Sequence, residues 1–208
     1  MRIGIDFDNT IACYDGVFYT AAVEQGLISA DVATDKTSVR NYLREIGRED
    51  DWTKLQGYVY GTRMDLVALF PGFWDFLRAA VAADHSVFII SHKTRHPYLG
   101  PKHDLHLAAQ RFLEERKIVG SSSGQIALEH LFFELELPEK LKRIASQQCD
   151  IFIDDLPELL ADPSFPPSTR AILFDPENHY EAATCQGRPL ERYASWPSII
   201  SAVLGTAR

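Results

Sequence analysis

The chain has 208 residues, of which 46% are hydrophobic, and its 29 acidic and 21 basic residues give a formal net charge of -8. This length suits one domain with a sizeable insertion or two small domains. The acidic balance argues against polymeric nucleic acid as a partner, because phosphate backbones are bound by basic surfaces. No stretch reaches the roughly 18 apolar residues of a membrane span, so we also expect no membrane partner.

The three cysteines, Cys13, Cys149 and Cys185, are widely spaced and lack the spacing of a metal site. Free thiols in a reducing compartment are the simplest interpretation of this pattern. The first residues enter a strand-like pattern directly, without the charged start and apolar run of a secretory signal. We therefore expect a cytoplasmic protein.

Short apolar runs alternate with helical patterns along the chain. The runs at residues 3–7, 87–90, 131–133, 151–153 and 171–174 have the length of buried strands. Apolar residues at helical spacing lie at 73–81, 105–113 and 141–145. This alternation predicts an α/β fold with a Rossmann-like three-layer core and a mostly parallel sheet, in which ligands bind beyond the carboxyl ends of the strands.

One interval, from residue 13 to residue 70, breaks the alternation. It contains helical stretches and turn material at 26–37 and 47–51, but no convincing strand. Because it is far longer than an ordinary connection, we expect a small helical cap inserted after the first strand. The predicted domains are therefore a catalytic core of residues 1–12 and 71–208 and a cap of residues 13–70.

Acidic and hydroxyl side chains follow three of the predicted strands. The first strand ends on Asp6 and Asp8, which share a face because they are two residues apart. The second ends on Ser91, and the fourth on Asp154 and Asp155. Carboxylates held close together repel one another, and a divalent cation with oxygen ligands relieves this repulsion. We therefore expect a Mg²⁺ site that also attracts phosphate.

These positions resemble the four motifs of the haloacid dehalogenase (HAD) superfamily of phosphohydrolases. Residues 6–10, Asp-Phe-Asp-Asn-Thr, match the first motif, and Ser91 matches the second. A lysine near residue 140 matches the third, and Asp154-Asp155 match the fourth. The motifs occur in the family's order and span most of the chain.

The resemblance implies a role for each of these residues. Asp6 is the nucleophile that forms an aspartyl phosphate, and Asp8 is the general acid and then the general base. Ser91 and Lys140 bind the phosphate. Mg²⁺ is the implied cofactor, held by Asp6, by the backbone carbonyl of Asp8 and by the two acids of the fourth motif, of which Asp155 is the first choice for the direct ligand.

The acid at position 8 indicates ester hydrolysis, since superfamily members that cleave carbon–halogen or carbon–phosphorus bonds generally lack it. The segment 153–157, Ile-Asp-Asp-Leu-Pro, is similar to the fourth motif of the 5'-nucleotidase and deoxyribonucleotidase branch. That branch more often has glycine and valine where this chain has Asn9 and Thr10. A small phosphorylated metabolite is the expected substrate, with a nucleotide as the leading choice. A phosphomutase or phosphotransferase and a catalytically silent binding module are the alternatives.

The third-motif lysine has more than one candidate. Pro138 suits the first turn of a helix, which places Lys140 in that turn, close to the strand ends. Lys142 lies about 200° further around such a helix. Lys140 is therefore favoured, and Lys142 and Lys93 remain open.

Other residues are candidates for substrate contact. They are Thr10, His92, Lys93 and Arg63, together with Arg40, Arg44, Tyr58 and Tyr60 in the insertion. The segment 91–106 is rich in histidine, lysine and arginine, which favours contact with an anionic substrate. A zinc site at His103 and His106, three residues apart, is the alternative for this segment.

Overall fold

The structure is a computed structural model that describes residues 1–180 and 190–205. Its strands are β1 (Arg2–Ile5), β2 (Ala12–Cys13), β3 (Ala68–Leu69), β4 (Ser86–His92), β5 (Leu131–Glu134), β6 (Ile151–Asp154), β7 (Arg170–Phe174) and β8 (Glu191–Tyr193). Its helices are α1 (Val17–Glu24), α2 (Lys36–Glu45), α3 (Glu49–Thr62), α4 (Phe73–Ala82), α5 (Leu105–Glu115), α6 (Leu137–Ser146), α7 (Pro157–Leu160) and α8 (Trp196–Val203). The chain divides into two compact units.

The first unit comprises Met1–Ala12, Leu69–His92 and the described residues from Lys117 onward. Six strands form its sheet in the order β5-β4-β1-β6-β7-β8, and each of the five pairings is parallel. The predicted α/β class with a Rossmann-like parallel sheet is therefore confirmed. β1, which the first motif directly follows, lies in the interior of the sheet, between β4 and β6.

Helices cover both faces of this sheet. On one face Phe88 and Ile90 of β4 join a buried cluster that includes residues of α6 and α7. On the other face the indole ring of Trp196 packs against Phe73, Phe76 and Phe174. Because alternate residues of a strand face opposite sides, the continuous apolar runs of the sequence supply both cores.

Three short strands are additional to the prediction. β8 contains Glu191, Arg192 and Tyr193 at the edge of the sheet, and a short charged segment has no buried-strand pattern. β2 and β3 have two residues each and pair with one another, so they give no periodic signal. These three strands are defined by backbone hydrogen bonds to a neighbouring strand and not by a pattern in their own sequence.

The second unit comprises Cys13–Ala68 and Lys93–Arg116 and contains α1, α2, α3 and α5. The sequence analysis predicted a cap of residues 13–70 and placed residues 93–116 in the core. The structure corrects the placement of residues 93–116, which belong to the second unit. Close packing explains the correction: a Cβ atom added at Gly57 or Gly61 of α3 would lie 2.5 Å from the Cβ atom of Pro97 or His103, respectively. Glycine at these two positions lets the segment after β4 approach the helix.

α3 also begins earlier than the predicted turn at 47–51 allows. Its first turn contains three consecutive acids, Glu49, Asp50 and Asp51. Acidic side chains stabilise the amino-terminal end of a helix, where the backbone N–H groups leave positive partial charge. This segment is therefore a helix start rather than an extended turn.

Two other sequence-based expectations concern cysteines and membranes. Cys13 and Cys149 are free thiols, and Cys185 lies outside the described residues. Burial raises the pKa of the Cys149 thiol to about 12, so this group stays protonated at neutral pH. None of the helices within residues 1–180 and 190–205 has both the length and the apolar character needed to cross a membrane.

Candidate active site

Three neighbouring strands of the first unit bring polar side chains to one edge of the sheet. Asp6 directly follows β1, and its backbone N–H donates to the carbonyl of Ile153 in β6 at 2.9 Å. Asp154 ends β6, and Ser91 lies near the end of β4. All three polar side chains are buried. The parallel pairing explains their common location, because the carboxyl ends of parallel strands lie at the same edge.

Lys140 joins two of these carboxylates. Its ammonium nitrogen lies 2.6 Å from Oδ1 of Asp6 and 2.6 Å from Oδ2 of Asp154, and its side chain is only 1% exposed. Pro138 lies in the first turn of α6, and Lys140 follows two residues later. Lys142 is instead exposed and forms an ion pair with Glu139. Of the two lysines on α6, only Lys140 contacts the acids.

Asp6, Asp154 and Asp155 offer ligand oxygens that all lie within 4.8 Å of one another. Together with the ammonium group of Lys140, the three ionised carboxylates would carry a formal charge of -2. Hard divalent cations such as Mg²⁺ prefer carboxylate oxygens, so both the donor atoms and the charge fit such an ion. We call these four residues the acid cluster.

The surroundings of Asp6 and Asp155 disfavour the ionised forms of these two carboxyl groups. The pKa of Asp6 is raised to about 7: burial raises it most, Lys140 lowers it, and the nearby charges of Asp154 and Asp8 raise it. Burial and the charges of Asp154 and Asp6 also raise the pKa of Asp155 well above its usual value. A bound cation would favour the ionised forms of these groups.

Lys140 keeps its charge in this setting. Burial alone would lower the pKa of its ammonium group, but the charges of Asp154 and Asp6 outweigh burial and hold this pKa above its ordinary value. An ammonium group at this point can balance negative charge on a bound phosphate oxygen as well as on the carboxylates.

Asp8 lies in a tight turn after β1. The N–H groups of Ile11 and Ala12 donate to the carbonyl of Phe7, which closes the turn. Asp8 is half-buried, and its carboxylate is close enough to Asp6 to raise the pKa of that residue. It is not one of the three acids that share the candidate cation site.

Asn9 contributes to the site, although the sequence analysis gave it no role. Its backbone has φ of 56°, in the left-handed region, and its side-chain Nδ2 donates to Oδ2 of Asp155 at 3.3 Å. Asparagine is one of the few non-glycine residues that adopt this conformation readily. An asparagine directly after a predicted strand is thus the sequence signal that could have identified it.

Two buried hydroxyl groups in the first unit lack a hydrogen-bond partner among the described residues. They are the side-chain oxygens of Thr10 and Ser91. The Thr10 backbone is fixed, since the indole N–H of Trp196 donates to its carbonyl at 3.1 Å. Because a buried hydroxyl without a partner costs free energy, a polar ligand at the strand ends would be stabilised by such groups.

The remaining predicted contact residues have other partners. Nε2 of His92 donates to the carbonyl of Leu135 at 3.1 Å. In the second unit, Arg63 forms ion pairs with Glu24 and Asp65. The guanidinium group of Arg63 is therefore already paired with two carboxylates of its own unit.

The second unit also determines the surroundings of the other basic and histidine candidates. Arg44 forms an exposed ion pair with Glu49, and Nε of Arg40 donates to the side chain of Asn41. Among the described residues, neither His103 nor His106 belongs to a group of three side chains that could bind a metal ion. Nε2 of His106 instead donates to the carbonyl of Lys93 at 2.7 Å, so the zinc alternative has no support.

Asp175 shows that a strand-end acid is not always a candidate ligand. It follows β7 and is buried, but its carboxylate accepts hydrogen bonds from the backbone N–H groups of His179 and Tyr180 and from Arg192. These contacts fix the loop after β7. Hydrogen-bond partners thus separate this structural acid from those of the acid cluster.

Comparisons with known proteins support the fold. No family model and no curated protein match the chain. Among solved structures, a HAD family hydrolase from Deinococcus radiodurans, determined with bound phosphate and sodium, has 14% identity and a TM-score of 0.59 over 97% of this chain and 94% of that chain. A predicted phosphatase from Clostridium acetobutylicum has 13% identity and a TM-score of 0.59 over 98% and 97%.

A HAD-superfamily hydrolase from Ehrlichia chaffeensis has 14% identity and a TM-score of 0.53 over 95% of this chain and 93% of that chain. A dehalogenase has 8% identity and a TM-score of 0.59 over 98% and 96%. The coverage is nearly complete in each case, whereas the identity is low. The chain therefore has the fold of the HAD-superfamily hydrolases.

Proposed function

We propose that the protein is a magnesium-dependent phosphomonoester hydrolase that acts on a small phosphorylated metabolite through an aspartyl phosphate on Asp6. The observation that carries this proposal is the acid cluster: three carboxylates and one buried lysine at the carboxyl ends of β1 and β6. The cluster combines a nucleophile, ligands for a cation and a positive charge for phosphate oxygens. All three are required when a carboxylate attacks a phosphate.

The fold does not select the reaction, because its solved examples include a protein named as a predicted phosphatase and others named as dehalogenases. Asp8 supports ester hydrolysis. An alkoxide leaves poorly without a proton, and a carboxylic acid two residues after the nucleophile can supply one. The Deinococcus protein, which was determined with phosphate and sodium bound, is consistent with an oxyanion and a cation in this fold.

In the first half of the proposed reaction, a carboxylate oxygen of Asp6 forms a bond to phosphorus as the ester P–O bond breaks. Asp8, in its protonated form, donates its proton to the departing oxygen. The ammonium group of Lys140 and the hydroxyl of Ser91 donate to phosphate oxygens and hold the group in place. These donors stabilise charge that grows on the phosphate as the bond breaks.

In the second half, the carboxylate of Asp8 takes a proton from water as the water oxygen attacks phosphorus. The bond between phosphorus and Asp6 breaks, which releases inorganic phosphate and restores both carboxylates. Asp6, Asp154 and Asp155, with the backbone carbonyl of Asp8, are the proposed holders of Mg²⁺. When bound, Mg²⁺ supplies positive charge that lowers the repulsion between the nucleophile and the phosphate.

The test is release of phosphate from an aryl phosphate and from a panel of phosphorylated metabolites by the purified protein. We expect turnover that requires Mg²⁺, is abolished by EDTA and falls at least about 1,000-fold in Asp6→Asn. Asp75→Asn, which changes an exposed acid on α4, is the matched control and should keep the wild-type rate. Turnover that persists in Asp6→Asn would show that Asp6 is not the nucleophile.

The same panel addresses the substrate class. A nucleotidase would favour nucleoside monophosphates over other esters. A phosphomutase would instead transfer the group between positions of a sugar and release little inorganic phosphate. Proportional release of phosphate and alcohol is the result expected for a hydrolase.

A further inference from the structure

A hydrogen bond connects helix α8 to the turn that follows β1. Trp196 is the first residue of α8 and is fully buried. Its indole N–H donates to the backbone carbonyl of Thr10 at 3.1 Å. Thr10 lies two residues after Asp8 and is also fully buried. The first unit therefore holds the turn of the proposed general acid from a helix that is distant in the chain.

The indole ring has little freedom to move. The ring centres of Phe73 and Phe76 of α4 lie 5.1 and 4.7 Å from its own, and that of Phe174 of β7 lies 5.6 Å away. The start of α8 also packs closely on the start of α4, since a Cβ atom added at Gly72 would lie 2.8 Å from Cδ of Pro197. In such dense packing, a ring cannot turn without displacing its neighbours. The indole N–H is therefore a fixed donor.

The turn after β1 is closed by hydrogen bonds within its own backbone. The N–H groups of Ile11 and Ala12 donate to the carbonyl of Phe7, and that of Asn9 donates to the carbonyl of Ala12 at 2.9 Å. These bonds shape the turn, whereas the indole N–H fixes it against α8. A buried carbonyl that loses its donor costs free energy, so without the indole N–H we expect the turn to shift toward another donor or toward water.

We infer that Trp196 is a positioning residue, which holds the turn so that Asp8 is correctly placed for proton transfer. The inference rests on the proposed function, in which Asp8 protonates the departing oxygen of the ester. A general acid must lie within hydrogen-bond distance of the atom that receives its proton, and a displacement of about 1 Å is enough to slow a reaction strongly. The indole itself needs no contact with the substrate.

The chemistry of the leaving group separates this role from a purely structural one. p-Nitrophenyl phosphate releases a stable phenolate that needs little help from an acid, whereas an alkyl phosphate releases an alkoxide that must be protonated. A displaced Asp8 therefore slows the alkyl ester selectively. A smaller fraction of folded protein slows both esters by the same factor. We call kcat/KM for p-nitrophenyl phosphate divided by that for the alkyl ester the leaving-group ratio.

Two changes at position 196 remove the donor. The assay uses the full chain with Mg²⁺ and the alkyl ester that the wild type hydrolyses fastest. Trp196→Phe keeps an aromatic ring and should raise the leaving-group ratio about tenfold, a part of the 100-fold or larger contribution of a well-placed general acid. Replacement of Trp196 by β-(3-benzothienyl)alanine keeps the size of the ring system and substitutes sulfur for the N–H. It should raise the ratio similarly, even if Trp196→Phe fails to fold.

Two other variants are controls. Trp74→Phe makes the same chemical change at a half-buried tryptophan of α4 and should keep the wild-type ratio. Ile199→Ala removes buried volume from α8 but keeps the indole N–H, so it should lower the melting temperature and leave the ratio unchanged. A raised ratio in Ile199→Ala would show that any disturbance of α8 has this effect, which contradicts a specific role of the hydrogen bond.

The outcomes distinguish the inference from the proposed function. An unchanged leaving-group ratio in the folded Trp196 variants, including an equal fall of kcat/KM for both esters, overturns the inference and leaves the proposed function in place. No Mg²⁺-dependent turnover of either ester by the wild type, or turnover that persists in Asp6→Asn, contradicts the proposed function and the inference with it.

Discussion

Lys140 in the first unit and Lys93 in the second are both buried, but they lie in different surroundings. The ammonium group of Lys140 lies 2.6 Å from two carboxylates, Asp6 and Asp154, whereas that of Lys93 lies over the ring of Tyr60. Opposite charge holds the first lysine against its two partners, and an aromatic ring lies beside the second. We therefore expect the first unit to be sensitive to changes of charge at this position and the second unit to be sensitive to changes in packing.

The largest expected effect comes from removing the charge of Lys140. Lys140→Met leaves the buried carboxylates of Asp6 and Asp154 without their cation, and breaking such a pair costs about 3–5 kcal/mol. Urea unfolding of the metal-free protein should show a decrease of this size in the free energy of unfolding. Lys142→Met, on the exposed side of α6, should change it by less than about 0.5 kcal/mol.

A second-site change sharpens this result. Asp154→Asn removes one of the two carboxylates, so Lys140→Met should cost less in that background than in the wild type. The difference measures how strongly the lysine and Asp154 are coupled. Equal costs in both backgrounds would contradict an electrostatic role for this pair.

The second unit should be sensitive to volume rather than to charge on α3. Gly61→Ala places a Cβ atom 2.5 Å from the Cβ atom of His103, so we expect a loss of about 1–3 kcal/mol in the free energy of unfolding. In an open helix the same change would stabilise by up to about 1 kcal/mol. Lys54→Ala on the same helix is the control. A stabilised Gly61→Ala protein would show that residues 93–116 do not pack closely on α3.

Magnesium binding should weaken as the pH falls below 7. The pKa of Asp6 is raised from 3.8 to about 7 in the metal-free fold, so protonation of this group stabilises the fold at low pH and that contribution is lost as the pH rises through 7. A cation must displace this proton, which lowers its affinity about tenfold between pH 8 and pH 6. Calorimetric titration with Mg²⁺ checks this, and Asp6→Asn should show a smaller dependence on pH.

The smallest effect is expected at Asn9. Asn9→Gly keeps the left-handed backbone and removes the hydrogen bond to Asp155. Mg²⁺ affinity should then fall about fivefold, which is a smaller loss than is typical when a shorter hydrogen bond to a metal ligand is removed. Asn9→Ala removes the same hydrogen bond and adds backbone strain of about 1–2 kcal/mol. Equal thermal stability of the two variants would contradict the conformational role.

Much of the first unit could be predicted because its information is local. The apolar runs that form β1, β4, β5, β6 and β7 are uninterrupted. At three of these strands, the polar residues of the site lie within one or two positions of the end of the run. Lys140 was identified from the position of Pro138 at the start of a helix. The parallel sheet then brings these residues together without further signals.

Information about the second unit is mostly tertiary. The location of residues 93–116 depends on the contacts of Gly57 and Gly61, and a glycine in a helix has many possible causes. Lys36 and Lys93 both lie at Tyr60, from which they are 24 and 33 positions away in the chain, so no short sequence window contains these contacts. Asn9 is intermediate, because its turn is local but its partner, Asp155, is distant.

The pairing of β1 with β6, two strands far apart in the chain, has a consequence for biosynthesis. β1 leaves the ribosome well before its neighbour β6, since Ile3 pairs with Ile151. At roughly 5–20 residues per second, the delay is about 7–30 s. The strand that precedes Asp6 thus keeps one unpaired, apolar edge while most of the polypeptide is still being translated, and this transient exposure is a cost of placing Asp6 in the interior of a parallel sheet.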